Sequence, residues 1–415
     1  MRRCPQCGTE YPENIAFCGH DGTITIAVQP PGSTPDPRLG TRLGDYVVVA
    51  PVADGAMGRV YEGRHAQSKQ RVAIKVLHDD VAKDRIAVER FKREFETARD
   101  IDSKYVVRVI DFGQTPDQSF FLTMEYLEGE ELGNLVRGSG AQGVGRALRI
   151  VCQVALGLDD AHTFGVIHRD LKPDNLFLTK GENGDQVRIL DFGSVKLQME
   201  TGAKLTAFGT TLGSPYYMSP EQAMGKQDVD NRTDAFALAA IAYEMLCGKI
   251  AFDGKVVAEI LMKIVNQMPP PLTQVVPGKV PHAADDVIEK ALAKDKKNRY
   301  AGTLEFAAAF LGAFGLTATP DRASVEAWGA RSAAEIEAAI AEKKAAAPIA
   351  AAPVVASPIA AAPIAAAPMS ASAPAATSMA PPSSGSTMWI AAAVLGVGLF
   401  FLAALGLVGW FVFGS

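Results

Sequence analysis

Eight consecutive residues, His168 to Asn175 (HRDLKPDN), put three kinds of chemistry into one loop. Asp170 is a carboxylate able to orient a hydroxyl and accept its proton. Lys172, two residues on, is a cation able to steady a transferring phosphoryl group, and Asn175 offers an amide oxygen to a metal ion. A second aspartate, Asp191, opens the triplet DFG 21 residues beyond Asp170, after the apolar run VRIL. Upstream, VADGAMGRVY from Val52 to Tyr61 sets Gly55 and Gly58 between two stretches of alternating hydrophobicity, and VAIK ends at Lys75, seventeen residues after Gly58. Glycine lets the backbone approach phosphate oxygens closely, and a lysine on the following strand can reach them. A glycine pair alone is equally a hairpin turn. Its order with Lys75, Asp170 and Asp191 gives it weight.

Glu94 lies in the helix-forming stretch VERFKREFETAR and is the candidate to pair with Lys75, with Glu89 and Glu96 as competitors in the same helix. The triplet DFG also occurs at Asp111 to Gly113. That copy precedes the hinge-like stretch LTMEYLEG and reads as the end of a strand.

Taken in this order the motifs resemble the eukaryotic-type serine/threonine protein kinases found in bacteria, over roughly Asp45 to Phe314. The resemblance implies a two-lobed α+β fold, with a small β-rich lobe and a larger helical one, that binds ATP with Mg²⁺, or Mn²⁺ in its place, and transfers the γ-phosphoryl to protein hydroxyls. It implies a nucleotide site built from Val52, Ala53, Gly55, Gly58, Val60, Ala73, Lys75, Met124, Glu125, Leu127, Asn175 and Asp191. Asn175 and Asp191 would hold the metal, and Asp170, Lys172, Lys75 and Glu94 would carry catalysis. It also implies a metal-binding aspartate about twenty residues after the HRDLKPDN loop, which leaves Asp111 a structural decoy. Glu221 of SPEQ would pair with Arg299, and Asp234 would brace the catalytic loop. Lys172 two residues after Asp170 marks the serine/threonine members, so an aliphatic hydroxyl is the expected acceptor. An arginine before the catalytic aspartate, here Arg169, is where a phosphate on the activation segment docks in the family, and Thr206, Thr210 and Thr211 are the candidates to carry it. Two positions depart from the pattern: Ala53 replaces a glycine of the phosphate loop, and Ser214 replaces a threonine of the peptide-positioning loop. Neither removes a group the chemistry needs.

Cys4, Cys7 and Cys18 crowd into the first eighteen residues and look like a truncated zinc ribbon. Structural zinc takes four ligands. Asp21 sits where a second C-x2-C pair would end, and His20 is chemically the commoner ligand; both are candidates for the fourth position. Five cysteines in 415 residues exclude a disulfide framework. Cys152 and Cys247 fall on helix-periodic apolar stretches and read as core.

The elements that must position these groups follow from the pattern. Alternation with period two (DYVVVAPV, RVAIKVL, FFLTMEYL) gives way to helical period (LRIVCQVALGLDDAH, AFALAAIAYEML), a strand-rich start and a helix-rich remainder. The boundaries read as a zinc-ribbon-like module at 1–28, a Pro/Gly/Ser-rich linker at 29–43, the kinase domain at 44–315 and a helical extension at 316–344. An uncharged Ala/Pro-rich linker at 345–387 and an apolar segment at 388–413 follow. Proline every five residues from Pro348 to Pro368 forbids a continuous helix in the linker. The last segment holds 26 residues without a charge, more than the roughly 20 that cross a bilayer, with Trp389 and Trp410 as flanking anchors. It is expected to span the inner (cytoplasmic) membrane once, with the kinase domain cytoplasmic and transient self-association between neighbours. A net charge of -5, with Arg2 and Arg3 the only Lys or Arg before Arg38, argues against nucleic-acid binding. The alternative reading is a catalytically weak kinase-fold scaffold that binds partners at the membrane. Retention of Lys75, Asp170 and Asp191 favours the enzyme.

Overall fold

The computed structural model describes residues 1–29, 34, 36–55, 58–115, 117–192 and 215–346. A six-stranded antiparallel sheet, in the order β4-β5-β6-β7-β9-β8, forms the small lobe. Its strands are β4 (Arg42–Leu43), β5 (Tyr46–Asp54), β6 (Gly58–His65), β7 (Arg71–Leu77), β8 (Val109–Gln114) and β9 (Phe120–Glu125). The alternation of β7, with Val72, Ile74 and Val76 buried, turns those residues into one core with Tyr46, Val48, Tyr61 and Phe121 and leaves Arg71, Ala73 and Lys75 on the opposite face. Helix α1 (Arg85–Ala98) packs beside β8 and buries Phe91. The first DFG copy lies within β8, where Phe112 joins the ring cluster of Phe91, Phe95 and Phe120. Its aspartate, Asp111, is thereby a strand residue, as read from the sequence.

The large lobe is built on α3 (Val144–Thr163) and α4 (Arg232–Cys247). Both are apolar on nearly every face, the mark of a helix enclosed on all sides, and Leu148, Val151, Leu156, Phe236, Leu238 and Ile241 are fully buried. Around them pack α2 (Leu132–Ser139), α5 (Val257–Asn266), α6 (His282–Ala291) and α7 (Thr303–Ala313). A second sheet, in the order β10 (Gly129–Glu131), β11 (Leu176–Gly181) and β12 (Gly184–Ile189), receives the catalytic loop, which leads straight into its central strand β11.

The helical extension expected at 316–344 holds two helices, α8 (Arg322–Gly329) and α9 (Ala333–Ala346). Ser332 and Glu335 explain the break: Glu335 accepts from the Ser332 amide at 2.7 Å, and the Glu335 amide donates to the Ser332 hydroxyl at 3.2 Å, a capping box that starts a new helix. Val325 and Ile336 are fully buried, and Gln153 of α3 donates to the Gly329 carbonyl at 3.0 Å. The extension is thus a cover on α3.

The first 28 residues form a three-stranded sheet, β2-β1-β3, from β1 (Arg2–Arg3), β2 (Glu10–Tyr11) and β3 (Ile26–Ala27). This module lies against the small lobe. Arg2 of β1 reaches Glu62 of β6 at 2.9 Å with both side chains buried, and Arg64 stands over the Phe17 ring. The expected spacer also makes contacts: Asp36 accepts from Tyr61 and from Arg59, each at 3.0 Å. A chain segment whose polar groups find partners this way becomes part of the surface it crosses. Among the described residues no helix is long and apolar enough to cross a membrane; the segment 388–413 lies outside them, as does the Ala/Pro-rich tract from 347 onward.

Candidate active site

Strand register assembles the nucleotide side. Ala53 of β5 pairs with Val60 of β6, Val60 with Lys75 of β7, and Lys75 with Leu122 of β9, one row across four strands. The next row runs from Glu62 to Ala73 to Met124. Directly opposed residues share a face, so Val60, Ala73 and Lys75 line the same side. Val52 and Ala53 sit where β5 bulges, and Ala53 meets no positive-φ requirement there. Gly58 has a packing reason as well as the one read from sequence: a Cβ on it would lie 2.2 Å from the Val76 carbonyl oxygen. Glu125 ends β9, and Tyr126 and Leu127 carry the chain to β10 in the other lobe. Glu94 is on α1 as expected; its side chain lies outside what the structure describes.

The two lobes meet at Lys75 and Asp191, with Nζ 2.9 Å from Oδ1. Asp191 owes its position to the catalytic loop. Leu190 donates its amide to the Asn175 carbonyl at 2.9 Å, and His168 Nε2 lies 2.9 Å from the Leu190 carbonyl. The His168 ring also packs on Phe192, with centroids 4.7 Å apart. Asp191 itself has φ +56°, a conformation uncommon for a residue other than glycine and found where surrounding contacts over-determine it.

Asp170, Lys172 and Asn175 form one cluster. Lys172 Nζ stands 2.7 Å from Asp170 Oδ2, and Asn175 Nδ2 donates to the Asp170 carbonyl at 2.8 Å. With Nδ2 committed there, the amide oxygen is the donor atom Asn175 has for a cation. Together with the Asp191 carboxylate this is an all-oxygen set, the kind that hard divalent ions such as Mg²⁺ take.

Beneath the loop, Asp234 of α4 is fully buried and accepts from the amides of His168 and Arg169, each at 2.9 Å. His162, to which the sequence gave no role, supplies a third contact with Nε2 at 2.7 Å from Oδ2. Burial would raise the Asp234 carboxyl, yet the hydrogen bond and charge of His162, with the charge of His168 and the Arg169 amide, outweigh it and hold the group below its ordinary range. Arg169 has φ +65°, and its carbonyl accepts from Gln222 Nε2 at 2.6 Å. The loop backbone is therefore gripped from both sides. Gln222 also caps the single helical turn Pro220–Ala223 together with Ser219. That turn holds Glu221, which receives both Arg299 guanidinium nitrogens at 2.8 and 2.7 Å. Sequence alone gave no sign of the Gln222 contact, since nothing in SPEQ distinguishes a cap from a brace.

In the N-terminal module the ligand atoms of Cys4, Cys7, Cys18 and Asp21 all lie within 4.8 Å of one another. Two matching turns bring them there. Cys4 to Gly8 and Cys18 to Gly22 each close with an amide-to-carbonyl bond, 3.0 and 2.9 Å, and each ends on a glycine with positive φ. Amides also point at sulfur, Cys7 N to Cys4 Sγ and His20 N to Cys18 Sγ, both at 3.4 Å. Asp21 occupies in the second turn the place of Cys7 in the first, and it is Asp21 that joins the cluster in the structure. Three thiols and a carboxylate converging at this spacing fit a tetrahedral ion such as zinc. Thr9 beside Cys7 lowers that thiol toward the thiolate a metal takes up.

Residues 46–310 match the family model described as protein kinase domain. The chain belongs to the protein kinase family. It is 39% identical over 235 residues to the serine/threonine-protein kinase pkn2 of Myxococcus xanthus, a stretch covering 56% of this chain and 28% of that protein. It is 37% identical over 267 residues to serine/threonine-protein kinase pkn3 of the same organism, 63% of this chain and 49% of the other. The chain thus spans less than half the length of these curated relatives. Among solved structures, the PknI kinase domain of Mycobacterium tuberculosis superimposes with a TM-score of 0.54 at 29% identity, covering 67% of this chain and 98% of that one. The two-lobed kinase fold expected from the motifs is therefore present, with the β-rich lobe and the helical lobe where the sequence placed them.

Proposed function

We propose that this chain is a serine/threonine protein kinase that transfers the γ-phosphoryl of ATP to hydroxyls of protein substrates. The observation that carries the reading is the Lys75–Asp191 contact at 2.9 Å, which ties the small lobe to the large lobe that holds the Asp170, Lys172 and Asn175 cluster. Lys75 holds the α and β phosphates. Asp170 orients the acceptor hydroxyl and takes its proton as the oxygen bonds to the γ-phosphorus, while the bond from that phosphorus to the bridging oxygen breaks and ADP departs. Lys172 moves its charge from the carboxylate to the phosphoryl as negative charge develops there. Mg²⁺ bound by Asn175 and Asp191 would neutralise phosphate charge in this reaction. The catalytically weak kinase-fold scaffold that binds partners at the membrane is the weaker reading, because none of these groups is lost.

Three finer parts of the proposal rest on sequence and on the module geometry. Zn²⁺ held by Cys4, Cys7, Cys18 and Asp21 folds the first 28 residues. Residues 388–413 anchor the chain once in the cytoplasmic membrane with the kinase domain in the cytosol, where ATP and reduced thiols are found. Autophosphorylation on Thr206, Thr210 or Thr211, outside the described residues, activates the enzyme through Arg169. Neighbouring molecules meet transiently to do so.

The deciding experiment is transfer of labelled γ-phosphate to a generic basic protein, with and without Mg²⁺. Transfer that requires Mg²⁺ and disappears in Asp170→Asn supports the enzyme. Absence of transfer by the intact chain under phosphorylating conditions would favour the scaffold.

A further inference from the structure

The contact between the metal module and the small lobe does more than fix the module in place. Arg2 is 7% exposed, and its guanidinium is held by the Glu13 carbonyl at 2.7 Å and the Thr25 carbonyl at 3.4 Å inside the module, and by Glu62 at 2.9 Å outside it. Glu62, 4% exposed, gives its other oxygen to Arg71, whose Nε stands at 3.0 Å, and Arg64 lies 3.7 Å from that same oxygen. Arg71 in turn lies over the Tyr126 ring, 3.7 Å from its centroid, and pairs with Glu128. Tyr126 and Glu128 belong to the short crossing between the lobes, beside Glu125 and Leu127 of the expected nucleotide site. The same residues are tied to the site along the sheet. Glu62 is directly opposite Ala73, which is opposite Met124, and Arg71 shares a strand face with Ala73 and Lys75.

From this we infer that Arg2 is a positioning residue for the nucleotide site, acting through Glu62 and Arg71 on the crossing at Tyr126 and Glu128, and that the metal-bound state of the module sets it. The inference rests on the kinase reading and adds a form of control to it. The physical basis is that Arg2 lies two residues before the ligand Cys4 on β1, a strand that pairs with β2 and β3 inside the module. A sheet of three two-residue strands has too small a core to stand without its metal, so loss of the ion is loss of the fold. Arg2 then leaves Glu62. A buried carboxylate that loses one of its guanidinium partners draws the remaining ones toward itself, and here they are Arg64 and Arg71, of which Arg71 is the residue that holds the crossing. Nucleotide affinity falls while the catalytic loop, which shares none of these contacts, keeps its geometry.

The test uses the full chain and reads the Kd of a fluorescent ATP analogue with Mg²⁺, together with the KM for ATP. Zinc is stripped with a zinc-selective chelator that is removed before nucleotide is added. Zinc removal from the wild type is expected to weaken nucleotide binding about fivefold or more, with the saturating rate retained. Arg2→Ala should keep its zinc by metal analysis, show the same weakening, and respond no further to chelation; Arg2→Lys should recover part of the affinity. If Arg2→Ala loses its zinc, Glu62→Gln, which leaves the module untouched, carries the comparison and should reproduce the weakening. An unchanged Kd in Arg2→Ala, or an equal response of that variant and the wild type to chelation, overturns the link. A wild-type chain that holds no zinc defeats the metal part, and the Arg2→Ala affinity then decides the positioning role by itself. A chain that binds no nucleotide in any form defeats the kinase reading and this one with it.

Discussion

Arg299 and Glu221, 78 residues apart, meet through two parallel hydrogen bonds in the interior of the large lobe, the guanidinium fully buried and the carboxylate nearly so. Thr233 donates to the same carboxylate at 2.8 Å, and the Arg299 guanidinium rests on the Phe236 ring. The pair anchors the helical turn whose Gln222 grips the catalytic loop at Arg169. A fold-supporting contact is thus one residue away from a contact with the active site.

Removing one partner should leave the other charged and buried. Glu221→Gln is expected to lower the unfolding free energy by about 3 to 5 kcal/mol, read by denaturant titration. Burial would raise the Glu221 carboxyl, but Arg299 holds it from 4.5 down to about 2. Because the folded value is depressed, the stabilisation is present above about pH 4.5 and drains away as pH falls toward 2. A wild-type acid unfolding curve that coincides with that of Glu221→Gln over this range would show that the pair contributes nothing.

Asp170→Asn should retain the melting temperature of the wild type and lose on the order of 10² to 10⁴ in transfer rate. Lys75→Met should lose transfer too, with the fold preserved. Phosphorylation of a protein substrate by Asp170→Asn at more than a percent or so of the wild-type rate would remove the carboxylate from the role given to it.

One equivalent of zinc is expected per chain, with Asp21 and not His20 as fourth ligand. His20→Ala should keep the metal, Asp21→Ala should lose affinity for it, and Asp21→Cys should hold it in a four-thiolate site. Metal analysis after dialysis separates the three. Loss of zinc in His20→Ala with retention in Asp21→Ala would reverse the assignment.

Activity toward an external substrate should depend on phosphate in the activation segment. The triple variant Thr206→Ala, Thr210→Ala, Thr211→Ala is expected to fall well below the wild type, and mass spectrometry of the wild type after ATP should find phosphate on at least one of the three. Full activity in the triple variant would point control elsewhere, with the metal module the next candidate.

Deleting residues 388–415 should move the chain from the membrane fraction to the soluble fraction and leave peptide phosphorylation intact. Recovery of the full-length chain in the soluble fraction without detergent would refute the anchor.

What the sequence disclosed followed from how chemistry distributes itself along a chain. Asp170, Lys172 and Asn175 must stand within one loop, so HRDLKPDN is contiguous and conspicuous, and Asp191 was separable from Asp111 by its distance from that loop. The strand that carries Lys75 showed itself by period-two alternation. The contacts that were hidden join residues far apart: Arg2 to Glu62, Gln222 to the Arg169 carbonyl, His162 to Asp234. Nothing in the local pattern around His162 distinguishes it from a surface histidine, because its partner is 72 residues away. The break between α8 and α9 is a different case. Ser332 and Glu335 were there to be read as a capping box, and helix-favouring composition on both sides concealed it.

The cover that α8 and α9 lay over α3 bears on where this chain can be cut. The match to the family model ends at residue 310, yet Val325 and Ile336 are sealed against α3 well past that point. Gly145 has no room for a methyl group, since its Cβ would fall 2.2 Å from the Ala333 carbonyl oxygen. A catalytic fragment trimmed to the homologous region would bare a greasy strip along the central helix of the large lobe and would be expected to clump when expressed. The smallest well-behaved fragment should run through Ala346, and any fusion partner belongs after it.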